Sequence, residues 1–190
     1  KFYYSMASFV VGIDIDREGL ISAVDGAISR YNQLRTKKPN FPQMYFIQAD
    51  ATAEFDLESQ KKAMNVARLE NEQYFTKFFS KDPKKRMLFD RINCQMAIHY
   101  MLKNEDTWNN FKKNINAHLR NGGYMLITTF DGQKVAELLK GVDKYTQEYT
   151  DEAGKVRTLF EIVKKYQDPV NDSHIFGTGN AIDVYLSWIS

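Results

Sequence analysis

Two acids stand where short apolar runs end. The run Ser8-Phe9-Val10-Val11-Gly12-Ile13-Asp14 is rich in β-branched residues and stops at Asp14. Met44-Tyr45-Phe46-Ile47 is a second such run, and Asp50 closes the segment Gln48-Ala49-Asp50 behind it. A carboxylate has two oxygens and accepts charge-assisted hydrogen bonds, each stronger than a neutral one. An acid at the end of an early strand commonly accepts both hydroxyls of a ribose, and Asp14 is placed for that. Asp50 could accept from an adenine amino group in the same way. Each acid has a plainer alternative: Asp14 as the cap of the helix that follows, and Asp50 as a turn residue. An adenosine ribose occurs in dinucleotides and in S-adenosylmethionine alike, so Asp14 does not choose between them.

The elements that would position these acids alternate. The spacing predicts a buried parallel strand at residues 8–14, then a helix from about Glu18 to Leu34 with Leu20, Ile21, Val24, Ala27, Ile28 and Tyr31 on one face. A loop with two prolines follows at residues 35–42, then a strand at residues 44–47. Residues 57–79 read as a charged helix, 81–86 as a basic loop and 87–96 as a third strand. The next helix is capped by Asn104 or Asp106, carries Trp108, Phe111, Ile115 and Leu119 on one face, and ends at Asn121-Gly122-Gly123. A fourth strand covers residues 124–129 and a short helix 133–140. The tail holds two strands, 157–165 and 182–189, joined by a loop of Asp, Asn, Gly and Ser. This alternation predicts an α/β domain with a mostly parallel sheet. Ligands of such sheets bind beyond the carboxyl ends of the strands. Asp14, Asp50, the 95–100 stretch and Phe130-Asp131 all fall there.

Composition narrows the class. The 190 residues are 43% hydrophobic and 26% charged, the balance of a globular chain and not of a disordered one. A net charge of +2 is too mild to declare a nucleic-acid partner by itself. Cys94 is the only cysteine, which excludes an internal disulfide and a cysteine-based zinc site. No apolar run approaches the ~20 residues of a membrane helix. No G-x-G-x-x-G or phosphate-loop string occurs.

Phe89-Asp90-Arg91-Ile92-Asn93-Cys94-Gln95-Met96-Ala97-Ile98-His99-Tyr100 is the most informative stretch. It resembles the F-D-x-x-x-x-Q-F-x-x-H-Y motif of messenger-RNA cap (guanine nitrogen-7) methyltransferases. Three further segments agree in order. Residues 10–15 look like the family's second strand, Gln48-Ala49-Asp50 looks like its adenine-contacting turn, and residues 121–129 look like its P-G-G-Y-F-x-x-T-x strand. Asp131-Gly132 is similar to the form found in large-DNA-virus capping enzymes of the poxvirus and asfarvirus kind.

The resemblance implies a class I, Rossmann-like fold that uses S-adenosylmethionine and releases S-adenosylhomocysteine. Asp14 would hold the ribose, Asp50 and Ala51 would lie against the adenine, and Gln95 would sit beside the methionine part. His99 and Tyr100 would contact the cap guanine. Ile182-Asp183-Val184-Tyr185 looks like the family's I-E-Y strand, so Asp183 would take the guanine edge. Arg30 matches a cap-phosphate position; its plainer reading is a solvated helix residue. Met96 departs from the usual phenylalanine, Phe130 stands where some members have proline, and Asp183 is one methylene shorter than the usual glutamate.

Residues 1–140 would then form the cofactor-binding core and 141–190 the start of the substrate subdomain. The family's first strand and glycine-rich loop would precede Lys1, so the piece alone is expected to bind the cofactor poorly, to be unstable and to be inactive. Expected partners are a capped RNA 5′ end, triphosphatase and guanylyltransferase domains or a regulatory subunit, and no membrane. The expected location is intracellular: a viral cytoplasmic factory or virion, or the nucleus for a cellular member. The alternatives are an S-adenosylmethionine-dependent methyltransferase of another substrate class, and a non-catalytic partner that keeps the fold. Lys84, Lys85 and Arg86 read as a solvated loop, Cys94 as a core residue, and His118 and His174 as histidines without metal partners.

Overall fold

Phe9–Asp14 and Gln43–Gln48 lie side by side in parallel, in register from Phe9↔Gln43 to Asp14↔Gln48. The computed structural model describes residues 7–166 and 181–187. In chain order its elements are β1 (Phe9–Asp14), α1 (Arg17–Ile21), α2 (Ala27–Lys37), β2 (Gln43–Gln48), α3 (Leu57–Met64), α4 (Glu72–Phe78), β3 (Phe89–Gln95), α5 (Ile98–Met101), α6 (Glu105–His118), β4 (Leu119–Thr128), α7 (Gly132–Leu138), β5 (Lys144–Thr150), β6 (Val156–Lys164) and β7 (Ile182–Leu186). The strands group as β1-β2, β3-β4 and β5-β6-β7, which makes the chain an α/β protein with small sheets. It divides into two compact units: residues up to 94 with 104–126, and residues 95–103 with those from 127 onward.

The core of the first unit gathers behind β1 and β2. Ile47, Ala49, Leu69, Phe75, Phe78 and Phe79 are buried together, with Phe9, Val11 and Ile13 packed on them. Aromatic rings interlock there: Phe9 stacks on Phe78 at 6.0 Å and Phe55 meets Phe79 at 4.7 Å. Both β1 and β2 read as continuous apolar runs because their flanks are covered.

Two helices expected to be continuous are broken, each by polar chemistry. The helix predicted from Glu18 to Leu34 is α1 and α2. Ser22 Oγ donates to Asp25 at 2.6 Å and Ser29 Oγ donates back to the Ala23 carbonyl at 2.9 Å, which stabilises a turn. Gly26 sits so close to Ser22 that a Cβ there would lie 2.5 Å from its backbone nitrogen, so no larger residue fits. Val24, expected on the apolar stripe, is 85% exposed. The helix predicted over residues 57–79 is α3 and α4, because Asn65 and Asn71 are left-handed at φ 52° and 59°. Asparagine tolerates that region, and the Asn71 amide ties the turn to the Phe46 carbonyl at 2.8 Å.

Asn104 caps α6, in a capping box with Thr107. The helix stops at His118, earlier than the Asn121-Gly122-Gly123 signal suggests, and those residues already belong to β4. Gly123 is needed for strand pairing: a Cβ on it would lie 2.9 Å from the Asp90 carbonyl of β3. Arg120 and Asp90 pair at 2.7 Å in the same place.

His118 packs edge-on against Phe79 at 5.0 Å, with Nδ1 at 3.1 Å from the Met87 carbonyl. Burial pushes its pKa below the ordinary value of 6.5, the Met87 hydrogen bond opposes this, and Arg86 adds to the lowering. The folded state therefore holds the neutral ring and the unfolded chain takes up the proton first. Stability is full above about pH 6.5 and falls as the pH drops from there toward the lowered folded value. Melting curves between pH 8 and 5 should show a loss at the acid end that His118→Phe removes.

In the second unit β5, β6 and β7 form an antiparallel sheet, with a register shift at Gln147/Glu148. β6 and β7 are strands in the sequence pattern, but β5 is not, because Lys144, Gln147 and Glu148 interrupt its tyrosines and threonines. α5 is a single helical turn, too short for periodicity to register. The loop expected between β6 and β7, with His174, lies outside the described residues.

Candidate functional site

The parallel register brings the ends of β1 and β2 level. Asp14 lies opposite Gln48, and its carbonyl accepts from the Ala49 N–H at 2.9 Å. Asp14 and the Asp50 turn thus share one sheet edge, at the carboxyl ends where α/β sheets bind ligands. Helix capping falls to Asp16, whose Oδ1 accepts from the Glu18 N–H at 3.0 Å. Asp14 accepts only the Asp16 N–H, through Oδ1 at 3.0 Å, and its Oδ2 makes no hydrogen bond among the described residues.

Asp50 is a turn residue in the full sense. Its Oδ1 accepts from the Thr52 N–H at 2.8 Å and the Thr52 hydroxyl at 2.7 Å. That role uses one oxygen. Oδ2 of Asp50 and the backbone N–H of Ala51 make no hydrogen bond among the described residues. An unspent acceptor and an unspent donor therefore belong to adjacent residues.

The loop after Asp50 is held by side chains from α3 and α6. Gln60 accepts from the Asp50 N–H at 2.7 Å and donates to the Asp50 carbonyl at 2.8 Å. Asn114 accepts from the Phe55 N–H at 2.8 Å and donates to the Ala53 carbonyl at 2.8 Å. Asn110 donates to the Thr52 carbonyl at 3.1 Å. At the loop's end Asp56 caps α3 through Ser59. Burial raises the Asp56 carboxyl, but the Ser59 bonds and the Lys81 ammonium 3.2 Å away outweigh it and hold the pKa below its ordinary value. Gln60 and Asn114 are not among the site residues expected from the sequence. A signal for them exists: Gln60 falls three residues after Leu57 and Asn114 three after Phe111, so both are polar residues on apolar helix faces.

In the second unit Gln95 accepts from the Thr128 hydroxyl at 2.7 Å. Met96 is left-handed at φ 55°, and its N–H donates to the Thr128 carbonyl at 2.7 Å. That turn leads into α5, which buries Ile98 and Met101 and leaves His99 and Tyr100 outward. The His99 and Tyr100 rings stand 4.1 Å apart and Tyr100 is 63% exposed, an aromatic surface with polar tips. Asp183 lies on β7 opposite Val163, with its Oδ2 at 2.8 Å from Lys165 Nζ.

Arg30 is exposed on α2, and its side chain makes no hydrogen bond or ion pair among the described residues. Arg86 is less free than a solvated loop residue: its guanidinium donates to the carbonyls of Ser80 and Lys81. Cys94 is half-buried. Among the described residues no His/Cys/Asp/Glu cluster could hold a metal ion, and no helix is long and apolar enough to cross a membrane.

Residues 1–185 match the family model described as the mRNA (guanine-N(7))-methyltransferase domain. The chain belongs to this methyltransferase family. It is 43% identical over all 190 residues to the probable mRNA-capping enzyme of Acanthamoeba polyphaga mimivirus, of which it spans 16% of the length. Membership of a methyltransferase family implies use of S-adenosylmethionine. The unspent groups of Asp14, Asp50 and Ala51 fit the adenosine half of that molecule, which offers ribose hydroxyls and an adenine edge carrying both a donor and an acceptor.

Proposed function

We propose that this chain is the part of an mRNA-capping enzyme that methylates nitrogen-7 of the cap guanine. The observation that carries the reading is the guanine-N(7)-methyltransferase match over residues 1–185, which takes in every residue assigned a role below.

Asp14 would accept from the ribose hydroxyls, and Asp50 Oδ2 with the Ala51 N–H would take the adenine edge. Gln95, oriented by Thr128, would face the methionine part. His99 and Tyr100 would pack on and hydrogen-bond the cap guanine, Asp183 would accept from its N–H groups, and Arg30 would meet the cap phosphates.

When bound, S-adenosylmethionine supplies an activated methyl group on a sulfonium. Guanine nitrogen-7 has an in-plane lone pair and no proton to lose, so the chain supplies no general base. Its residues hold two partners in line, and positioning of this kind can lower a barrier by ~7–11 kcal/mol. A carboxylate at Asp183 also favours the positive charge that develops on the base.

We read the chain as a Rossmann-like fold with residues 1–140 as cofactor core and 141–190 as the start of the substrate subdomain. This is supported by the parallel pairing of β1 with β2, in register from Phe9↔Gln43 to Asp14↔Gln48. The 16% share of the mimivirus relative leaves room for other capping domains beside this one.

The test is methyl transfer from labelled S-adenosylmethionine by the full-length protein. Label should enter guanine-capped RNA and not triphosphate-ended RNA. Label entering both equally, or protein alone, would reject the cap as substrate.

A further inference from the structure

The two buried amides of the first unit do more than fill space. Gln60 is fully buried and Asn114 is 5% exposed, each on a helix face that otherwise carries apolar residues. An amide in such a place costs stability unless its bonds are made. They are all made to one short segment. Gln60 bonds to Asp50 N–H and to the carbonyls of Asp50, Ala53 and Glu54. Asn114 bonds to Phe55 N–H and to the carbonyls of Ala51 and Ala53. A leucine or methionine of similar size would pack a core as well. The amides are therefore accounted for by the segment they hold.

Their effect on that segment is selective. The N–H groups of Asp50 and Phe55 are consumed by the clamp, that of Thr52 by the Asp50 carboxylate, and that of Ala53 by the Asp50 carbonyl. The Ala51 N–H stays unspent, as does Oδ2 of the adjacent Asp50.

We infer that Gln60 and Asn114 are positioning residues that pre-form the Asp50–Ala51 edge to read the adenine of S-adenosylmethionine. They act from helices α3 and α6 and touch the loop backbone, not the ligand. This rests on the proposal that the Asp50 turn meets the adenosine half. A loop shaped before binding need not be ordered at binding, and affinity rises by that saving.

The experiment uses the full-length protein carrying this chain and the variants Gln60→Met, Asn114→Ala and Asn114→Asp. Calorimetry with S-adenosylhomocysteine gives Kd, steady-state assays give both KM values and kcat, and melting checks the fold. Gln60→Met and Asn114→Ala should weaken S-adenosylhomocysteine and raise the S-adenosylmethionine KM by roughly tenfold. The KM for capped RNA and the kcat at saturation should stay within about twofold, a split that mere loss of stability does not produce. Asn114→Asp keeps the acceptor for Phe55 and loses the donor, so it should fall between, and it carries the test if Gln60→Met does not fold. Folded variants with unchanged cofactor affinity, or with both KM values raised equally, overturn the inference. Asp50→Ala separates the two levels. If it weakens the cofactor while the clamp variants do not, the clamp is wrong; if it too leaves affinity unchanged, the adenine reading falls and the inference with it.

Discussion

Asp183→Ala and Tyr100→Ala, each made in the full-length protein, should lower the rate of cap methylation on the order of 10²–10³-fold while cofactor affinity stays within about twofold. The reason is the division of labour proposed for the two units. Asp183, His99 and Tyr100 lie in the second unit, whereas Asp14, Asp50 and Ala51 lie in the first. Asp183 is a carboxylate with one oxygen on Lys165 at 2.8 Å and the other available to accept from a guanine N–H. Methylation makes the guanine cationic, so an accepting carboxylate stabilises the transition state more than the ground state. Asp183→Asn keeps the shape and loses the charge, and most of the rate should go with it. Asp183→Glu restores the reach of the usual family residue and should retain activity. Both positions are exposed, so melting temperatures should hardly move. Equal losses of methylation and cofactor affinity would refute the division.

Asp14→Ala should have the opposite signature. A hydrogen bond to a charged group contributes roughly 1.5–3 kcal/mol. On the role proposed for Asp14, acceptor of the ribose hydroxyls, its removal should therefore weaken S-adenosylhomocysteine on the order of 10²-fold. The KM for capped RNA should remain near that of the parent. The fold should survive, because the first helix is capped by Asp16 and not by Asp14. Calorimetry with S-adenosylhomocysteine reads the affinity directly. An unchanged Kd in a folded Asp14→Ala protein would remove Asp14 from the site.

The strands bearing these acids are legible because parallel strands covered by helices are continuous apolar runs, and residues 8–14 and 44–47 are such runs. The helix breaks are not legible at that level. Residues 18–34 keep helical spacing throughout, yet Ser22, Ser29 and Gly26 form a turn whose bonds depend on side-chain geometry. Asn65 and Asn71 break the next helix by entering a backbone region that periodicity does not register. At the site, the position of Asp14 is readable but its freedom is not. Two aspartates lie two residues apart, and only the bond from Glu18 to Asp16 assigns the cap. The resemblance names His99 and Tyr100, and the structure adds why they face outward: Ile98 and Met101 take the buried side of the same turn. Gln60 and Asn114 stay hidden because their partners are backbone groups of an irregular loop, up to 63 residues away for Asn114.

The position of the methyl group tests the central claim most directly. Guanine-capped RNA is incubated with the full-length protein and labelled S-adenosylmethionine, digested to nucleosides and caps, and separated by chromatography. All label should run with the 7-methylguanosine cap, and Tyr100→Ala should remove that peak. Label on a ribose 2′-hydroxyl or an internal base, or no transfer by a protein that binds S-adenosylhomocysteine, would contradict the assignment.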